Sequence, residues 1–205
     1  MEAAQRHYSD LVRRGRKRGA DAFDLHVAAA IAAMVLAEAE TEQVPLPERI
    51  GLDSGEIAKL NAMMFPGGLP ASSTSLTPDP QEKALRDILW MYSSEASAFE
   101  MLLSRMIARR CLRPNHLWQD LGLADRGELS QLMERHFARL ARRNSEDMKW
   151  KKFFYRMMCS AKEFSLCAAP VCTECDDYDD CFGSEEGPAL LARNAASQTR
   201  ESIAS

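Results

Sequence analysis

Apolar residues recur along most of the chain at intervals of three and four, the spacing that lines one face of an α-helix, and nowhere alternate over a strand's length. From Asp21 to about Glu42 the chain is rich in Ala, Leu and Met, which predicts a buried helix. Its acidic end opposes the helix dipole and is expected to fray. A short helix is predicted from about Asp53 to Met64, stopped by Pro66-Gly67-Gly68. Asp79 with Pro80 marks the start of a long helix in which Leu85, Ile88, Leu89, Tyr92, Ala96, Phe99, Leu102, Leu103, Met106 and Ile107 keep the period. Arg109, Arg110 and Arg113 fall in its last turns, and Pro114 ends it.

A short helix through Leu117 to Leu121 is predicted to stop at Gly122. Asp125, with Glu128 three residues on, then signals the next helix, which turns Leu129, Leu132, Met133, Phe137 and Leu140 inward. A last helix is expected from Ser145. Trp150, Phe153, Phe154, Met157, Met158, Ala161 and Phe164 share one of its sides, and Lys149, Lys152 and Arg156 the other. With no strand pattern and no internal repeat, the fold expected is all-α: a single helical domain over 21–187 with a cysteine-rich metal-binding loop near its C-terminal end.

Segments outside the periodic stretches complete this organisation. The first nineteen residues carry six bases (Arg6, Arg13, Arg14, Arg16, Lys17, Arg18) against Glu2 and Asp10, and residues 1–20 read as a mobile basic arm. A Gly, Pro, Ser and Thr-rich connector occupies about 66–79, and 188–205 reads as a tail.

Composition narrows the function. The chain has 205 residues, 46% of them apolar and 27% charged, enough for one ordinary soluble core. A net charge of −4 argues against coating nucleic acid, which needs a basic footprint. The most apolar run, Val27 to Ala37, is too short to span a bilayer, and no export signal is recognisable at the N-terminus. The expected compartment is the cytoplasm, where thiols serve as ligands or stay free more often than they pair.

Cysteine spacing supplies the candidate chemistry. Cys167, Cys172, Cys175 and Cys181 follow one another with four, two and five residues between them. A Cys-x2-Cys step lets two thiolates of one turn share a metal centre, and the longer steps let the chain wrap it. Zinc ribbons use two such steps set far apart, whereas this segment has one. Cys-x4-Cys-x2-Cys matches the local spacing of plant-type ferredoxins, whose fourth cysteine lies much further on. Spacing therefore favours an iron-sulfur centre, with zinc, disulfides and unligated thiols as the other readings. Seven acids and no base lie between Val171 and Gly187, surroundings that lower a cluster's potential. Upstream, the stripe of Lys149, Lys152 and Arg156 would suit an oxyanion or an acidic protein. Cys159 is a possible fifth thiol, and Cys111 reads as packing.

Met148-Lys-Trp-Lys-Lys-Phe-Phe-Tyr-Arg156, followed by the four cysteines and Phe182-Gly183, resembles the C-terminal signature of the NifQ family, molybdenum-handling accessory proteins of nitrogenase cofactor assembly. Arg109-Arg-Cys-Leu-Arg-Pro-Asn-His116-Leu-Trp-Gln-Asp-Leu-Gly122 resembles that family's central segment, so that the likeness runs from about Pro80 to Gly183. It implies a non-enzymatic carrier that binds a molybdenum-containing iron-sulfur cluster on Cys167, Cys172, Cys175 and Cys181 and donates molybdenum to the iron-molybdenum cofactor. Its implied partners are molybdate, the nitrogenase iron protein and the cofactor scaffold protein. His116 is the candidate extra ligand, with Trp118 and Asp120 beside it to orient the site. His136 reads as structural, and His7 and His26 stand in no motif.

Two other classes fit parts of the pattern. Asp120 to Met133 has the cadence of a helix-turn-helix, which would make the chain a redox-sensing iron-sulfur DNA-binding regulator reading bases through Arg126, Gln131 and Arg135. A structural zinc adaptor is the other. No phosphate loop, nucleophile elbow or paired carboxylates point to an enzyme.

Overall fold

The structure is a computed structural model and describes residues 2–70, 76–161, 183–185, 189 and 191. These form ten α-helices and, among the described residues, no strand: α1 (Glu2–Arg18), α2 (Ala22–Glu42), α3 (Leu46–Ile50), α4 (Ser54–Met63), α5 (Pro80–Met91), α6 (Ala98–Cys111), α7 (Leu117–Asp120), α8 (Arg126–His136), α9 (Ala138–Arg143) and α10 (Trp150–Ala161). The cysteine segment 167–181 lies outside the described residues.

At the centre is α2, apolar on every side and buried from Val27 to Leu36. Ala28, Ala29, Ala30, Ala32 and Ala33 let neighbouring elements approach its backbone closely. By length and hydropathy α2 meets the test for a membrane span that the shorter run Val27 to Ala37 was expected to fail, yet most of it is buried within the protein. Helices α1 and α3 pack directly on it.

The start of the chain departs from the expected mobile arm. Residues 2–18 are helical and pack on α2, because Ala4, Tyr8, Leu11, Val12 and Gly15 recur at three- and four-residue steps and face inward. Small residues carry part of that stripe. A Cβ on Gly15 would stand 2.7 Å from the Met64 carbonyl oxygen as well as crowding Leu25, so only glycine permits the approach. The bases face outward, and Asp10 pairs with Arg13 and with Arg14 (2.6 Å).

Nor does the acidic end of α2 fray. Glu38 binds Arg110 through both carboxylate oxygens, and Glu42 binds Arg49 and Arg113, so these cations offset the unfavourable dipole.

Where one long helix was expected after Asp79, two form. Asp79 caps α5 with Pro80 in its first turn, but Tyr92 ends that helix and Ser97 starts α6 with a reciprocal capping box to Glu100. The pair forms an antiparallel hairpin, since Arg109 near the end of α6 reaches Glu82 at the start of α5 (2.8 Å). Apolar spacing runs on through the break and conceals it. A second break follows α8 at Phe137, where Ser94 N–H donates to the His136 carbonyl and Ser94 Oγ accepts from Ala138 N–H. Helix α10 begins at Trp150 rather than Ser145, because Asn144 holds both the N–H and the carbonyl of Met148 in a closed turn. The beginning of the expected linker is likewise fixed, Asn61 bonding both backbone groups of Leu69. Leu191, assigned to the tail, is buried against the core.

Gly122 ends the α7 turn as expected and does so with φ +72°. A Cβ there would come within 2.7 Å of Met34 Cγ and 3.0 Å of the Ala30 carbonyl oxygen. Gly122→Ala is therefore expected to cost about 2–4 kcal/mol, left-handed strain adding to overpacking. In a thermal melt this corresponds to a loss of roughly 5–15 °C.

Candidate metal-handling site

Two stretches of sequence converge at one end of the helical body. Residues 114–120 turn into α7, and residues 147–152 turn into α10. Between them lies a cavity of about 470 Å³ lined by Pro114, Asn115, His116, Leu117, Gln119, Lys149, Lys151, Lys152 and Glu185.

His116 occupies the N-cap position of α7, and its backbone N–H donates to Gln119 Oε1 (3.2 Å). Its ring is about one-third exposed, with Nδ1 3.3 Å from Glu185 Oε1. Glu185 comes from the short described stretch Gly183-Ser184-Glu185, four positions beyond Cys181. Its other oxygen, Oε2, accepts from Arg126 Nη1 (2.7 Å), and the side chain is only 4% exposed. Arg126 in turn donates through Nη2 to the Asp147 carbonyl (2.7 Å) and to Asp147 Oδ1 (2.8 Å). Burial alone would lower the Arg126 pKa, but Asp147 and Glu185 outweigh it and hold the guanidinium above its ordinary value.

Beneath the cavity, Asp120 is buried and binds Lys151 Nζ (2.5 Å) and Asn115 Nδ2 (3.0 Å). Lys151 also donates to the Arg113 carbonyl. The Asp120 backbone carbonyl accepts from Arg110 Nε (2.6 Å), and Arg110 closes on Glu38 with Nη1 and Nη2 (2.6 and 2.7 Å). A continuous chain of charge-assisted bonds thus ties the cavity floor to the end of α2. Trp118 is buried in the core, so it supports α7 from below.

The basic stripe of α10 divides. Lys149 and Lys152 line the His116 cavity, whereas Arg156 lines a separate depression with Tyr92, Arg143, Asn144, Phe153 and Met157. Cys159 lies on α10 with its side chain outside the described residues, and the four spaced cysteines fall wholly outside them. Among the described residues no three or more His, Cys, Asp and Glu side chains are placed to hold a metal. Cys111 is buried, and burial pushes its thiol up to about 12, as befits an inert packing residue.

The remaining histidines join helices. His136 is buried, with Nε2 3.0 Å from Asp24 Oδ1. His26 lies between Tyr8 (2.8 Å) and Glu128 (3.2 Å), linking α1, α2 and α8, and His7 lies 3.0 Å from Glu40. Two of the side chains that a helix-turn-helix reading would send to bases are engaged within the protein: Arg126 by Glu185 and Asp147, and Arg135 by Asp21 and Asp24.

Sequence reasoning found His116 and the lysines but not the Arg126–Glu185 pair. Glu185 reads as one more residue of an acidic loop and Arg126 as one more helix-start base. Nothing local links positions 59 residues apart.

Comparison with known proteins follows the same stretches. The family model described as NifQ matches residues 30–183, a span that contains His116, Arg126, Lys149, Lys152 and all four spaced cysteines. A protein named Protein NifQ homolog from Sinorhizobium fredii (strain NBRC 101917 / NGR234) is 38% identical over 170 residues, 80% of this chain and 74% of that one. Protein NifQ of Rhodobacter capsulatus is 35% identical over 147 residues, 69% of this chain and 79% of its own. Protein NifQ of Azotobacter vinelandii is 36% identical over 157 residues, 68% of this chain and 80% of its own. No solved structure matches the chain.

Proposed function

The chain belongs to the NifQ family, whose members take part in making the nitrogenase molybdenum cofactor, and from that membership we propose that it carries molybdenum on an iron-sulfur cluster and donates it to the growing iron-molybdenum cofactor. The observation that carries this reading is that the family match encloses Cys167, Cys172, Cys175 and Cys181 as well as His116, Lys149, Lys151 and Lys152 of the cavity.

Donor chemistry supports it. Four thiolates are soft ligands suited to iron in a sulfide cluster. Molybdenum arrives as the hard oxyanion molybdate and must end in a sulfide-rich cofactor. A carrier that offers sulfide on one side and cations on the other suits that change of partner. His116, at a partly exposed helix start, is an imidazole within reach of cargo, and Asp120 and Gln119 fix the turn that presents it. Handing on a metal requires no organic substrate to be turned over. The role is that of a cytoplasmic carrier, working with the nitrogenase iron protein and the cofactor scaffold protein.

The test is transfer. Anaerobically isolated protein expressed with molybdate, and then freed of unbound molybdate, should serve as the sole molybdenum source for a cofactor-assembly mixture. Failure to support assembly while an equal amount of free molybdate succeeds would contradict donation.

A further inference from the structure

The Glu185 carboxylate sits where a free anion would be expected to bind. It is desolvated, one oxygen facing His116 Nδ1 and the other held by Arg126 Nη1, in a cavity that Lys149, Lys151 and Lys152 also line. Arginine and imidazole with ammonium groups around them form a donor set for oxyanions, and a concave cationic wall concentrates such ions. Lys151 is committed to Asp120 and the Arg113 carbonyl, which leaves it a part of the cavity's frame. Asp147 offsets some of the Arg126 charge through Nη2 and leaves Nη1 to the Glu185 carboxylate that lines the cavity.

We propose that the notch between His116 and Arg126 is a receptor for a tetrahedral dianion of the molybdate and sulfate type, and that Glu185 is its built-in placeholder. A dianion brings twice the charge of the carboxylate to the same cations and exchanges with it. No covalent bond is made or broken, and the receptor regains its internal ligand when the anion leaves. Glu185 lies four positions beyond Cys181, a contour of at most about 14 Å, so the exchange takes place on the chain adjoining the cysteine segment. The proposal rests on the carrier reading, since it assigns the entry point of that carrier's oxyanion cargo.

Equilibrium dialysis of the anaerobically isolated full chain against sodium molybdate tests it, with iron and sulfide measured on the same samples. Removing a competitor that fills the site nine-tenths of the time raises apparent affinity about tenfold, which is the gain expected of Glu185→Gln. The double variant Lys149→Gln, Lys152→Gln should bind about tenfold more weakly, equivalent to about 1.4 kcal/mol. Sulfate should compete in both. Unchanged or weaker molybdate binding by Glu185→Gln overturns the proposal, as does unchanged binding by the lysine variant. Iron-containing protein that gives either result sinks the receptor and leaves the carrier reading intact. Wild-type protein without iron or sulfide sinks the carrier reading, whatever the dialysis returns.

Discussion

On the carrier reading, replacing Cys172 or Cys175 with alanine is expected to yield protein without iron, sulfide or molybdenum while the helical body stays folded. These two residues form the Cys-x2-Cys step, and loss of either leaves a cluster with an open iron and a single thiolate from that turn. The body does not depend on them. Its core is built on α2 and, apart from Leu191, runs from Ala4 in α1 to Phe154 in α10, upstream of the cysteine segment. The variant should therefore lose the visible iron-sulfur absorption completely, with far-ultraviolet circular dichroism and melting temperature close to wild type. Unfolding of the variants would instead mean that the metal centre holds the core together, as in small zinc domains.

Arg110→Met is expected to destabilise the helical body strongly. The guanidinium is 0% exposed and forms three charge-assisted bonds, two to Glu38 and one to the Asp120 carbonyl. Methionine matches much of its bulk but none of its donors, leaving the Glu38 carboxylate, 17% exposed, without its main partner. Breaking such a pair from one side costs about 3–5 kcal/mol. With a urea slope of about 2 kcal/mol/M, the unfolding midpoint should fall by roughly 1.5–2.5 M. Removing both charges in Arg110→Met, Glu38→Leu should recover much of the loss, because the penalty comes from the stranded carboxylate.

The same pair sets a pH dependence. Burial alone would raise the Glu38 pKa, but bonding to Arg110, aided by Arg113 and Arg49, outweighs it and holds the carboxyl below its ordinary value of 4.5. A depressed folded pKa stabilises the protein above the unfolded value, and that stabilisation is lost as pH falls through the folded value. Glu128 acts in the same direction, its carboxyl lowered by the hydrogen bond from His26. Wild-type stability should thus decline as pH is taken below about 4.5, and Arg110→Met should flatten the decline.

Local signals in the sequence identified elements whose causes are local. Asp53, Asp79 and Asp125 each accept the backbone bonds of the helix that follows, because an N-cap is decided within four residues. Ser97 with Glu100 is as clear a capping box, yet it was obscured by apolar spacing that continues from Tyr92 through Ala96 to Phe99. The α1 stripe was hidden for the opposite reason. Its inward face uses alanine and glycine, which contribute little hydrophobicity but allow close packing. The retained end of α2 depended on partners about seventy residues away, Arg110 and Arg113, whose effect on Glu38 and Glu42 no local dipole argument contains.

The candidate site divides along the same line. His116 and the α10 lysines lie in recognisable motifs, and the fold brings them around one cavity. Glu185 gains its meaning only from the return of the chain to Arg126, a contact of tertiary structure. Cysteine spacing carries chemistry in the sequence itself, because ligand count and order follow from covalent connectivity.

The most direct test of the carrier reading is a joint quantification of molybdenum, iron and acid-labile sulfide in protein expressed with molybdate and purified without oxygen. The account predicts a brown protein in which all three elements co-elute and are lost together from Cys172→Ala. A colourless protein holding one zinc, or iron and sulfide with no molybdenum, would contradict it.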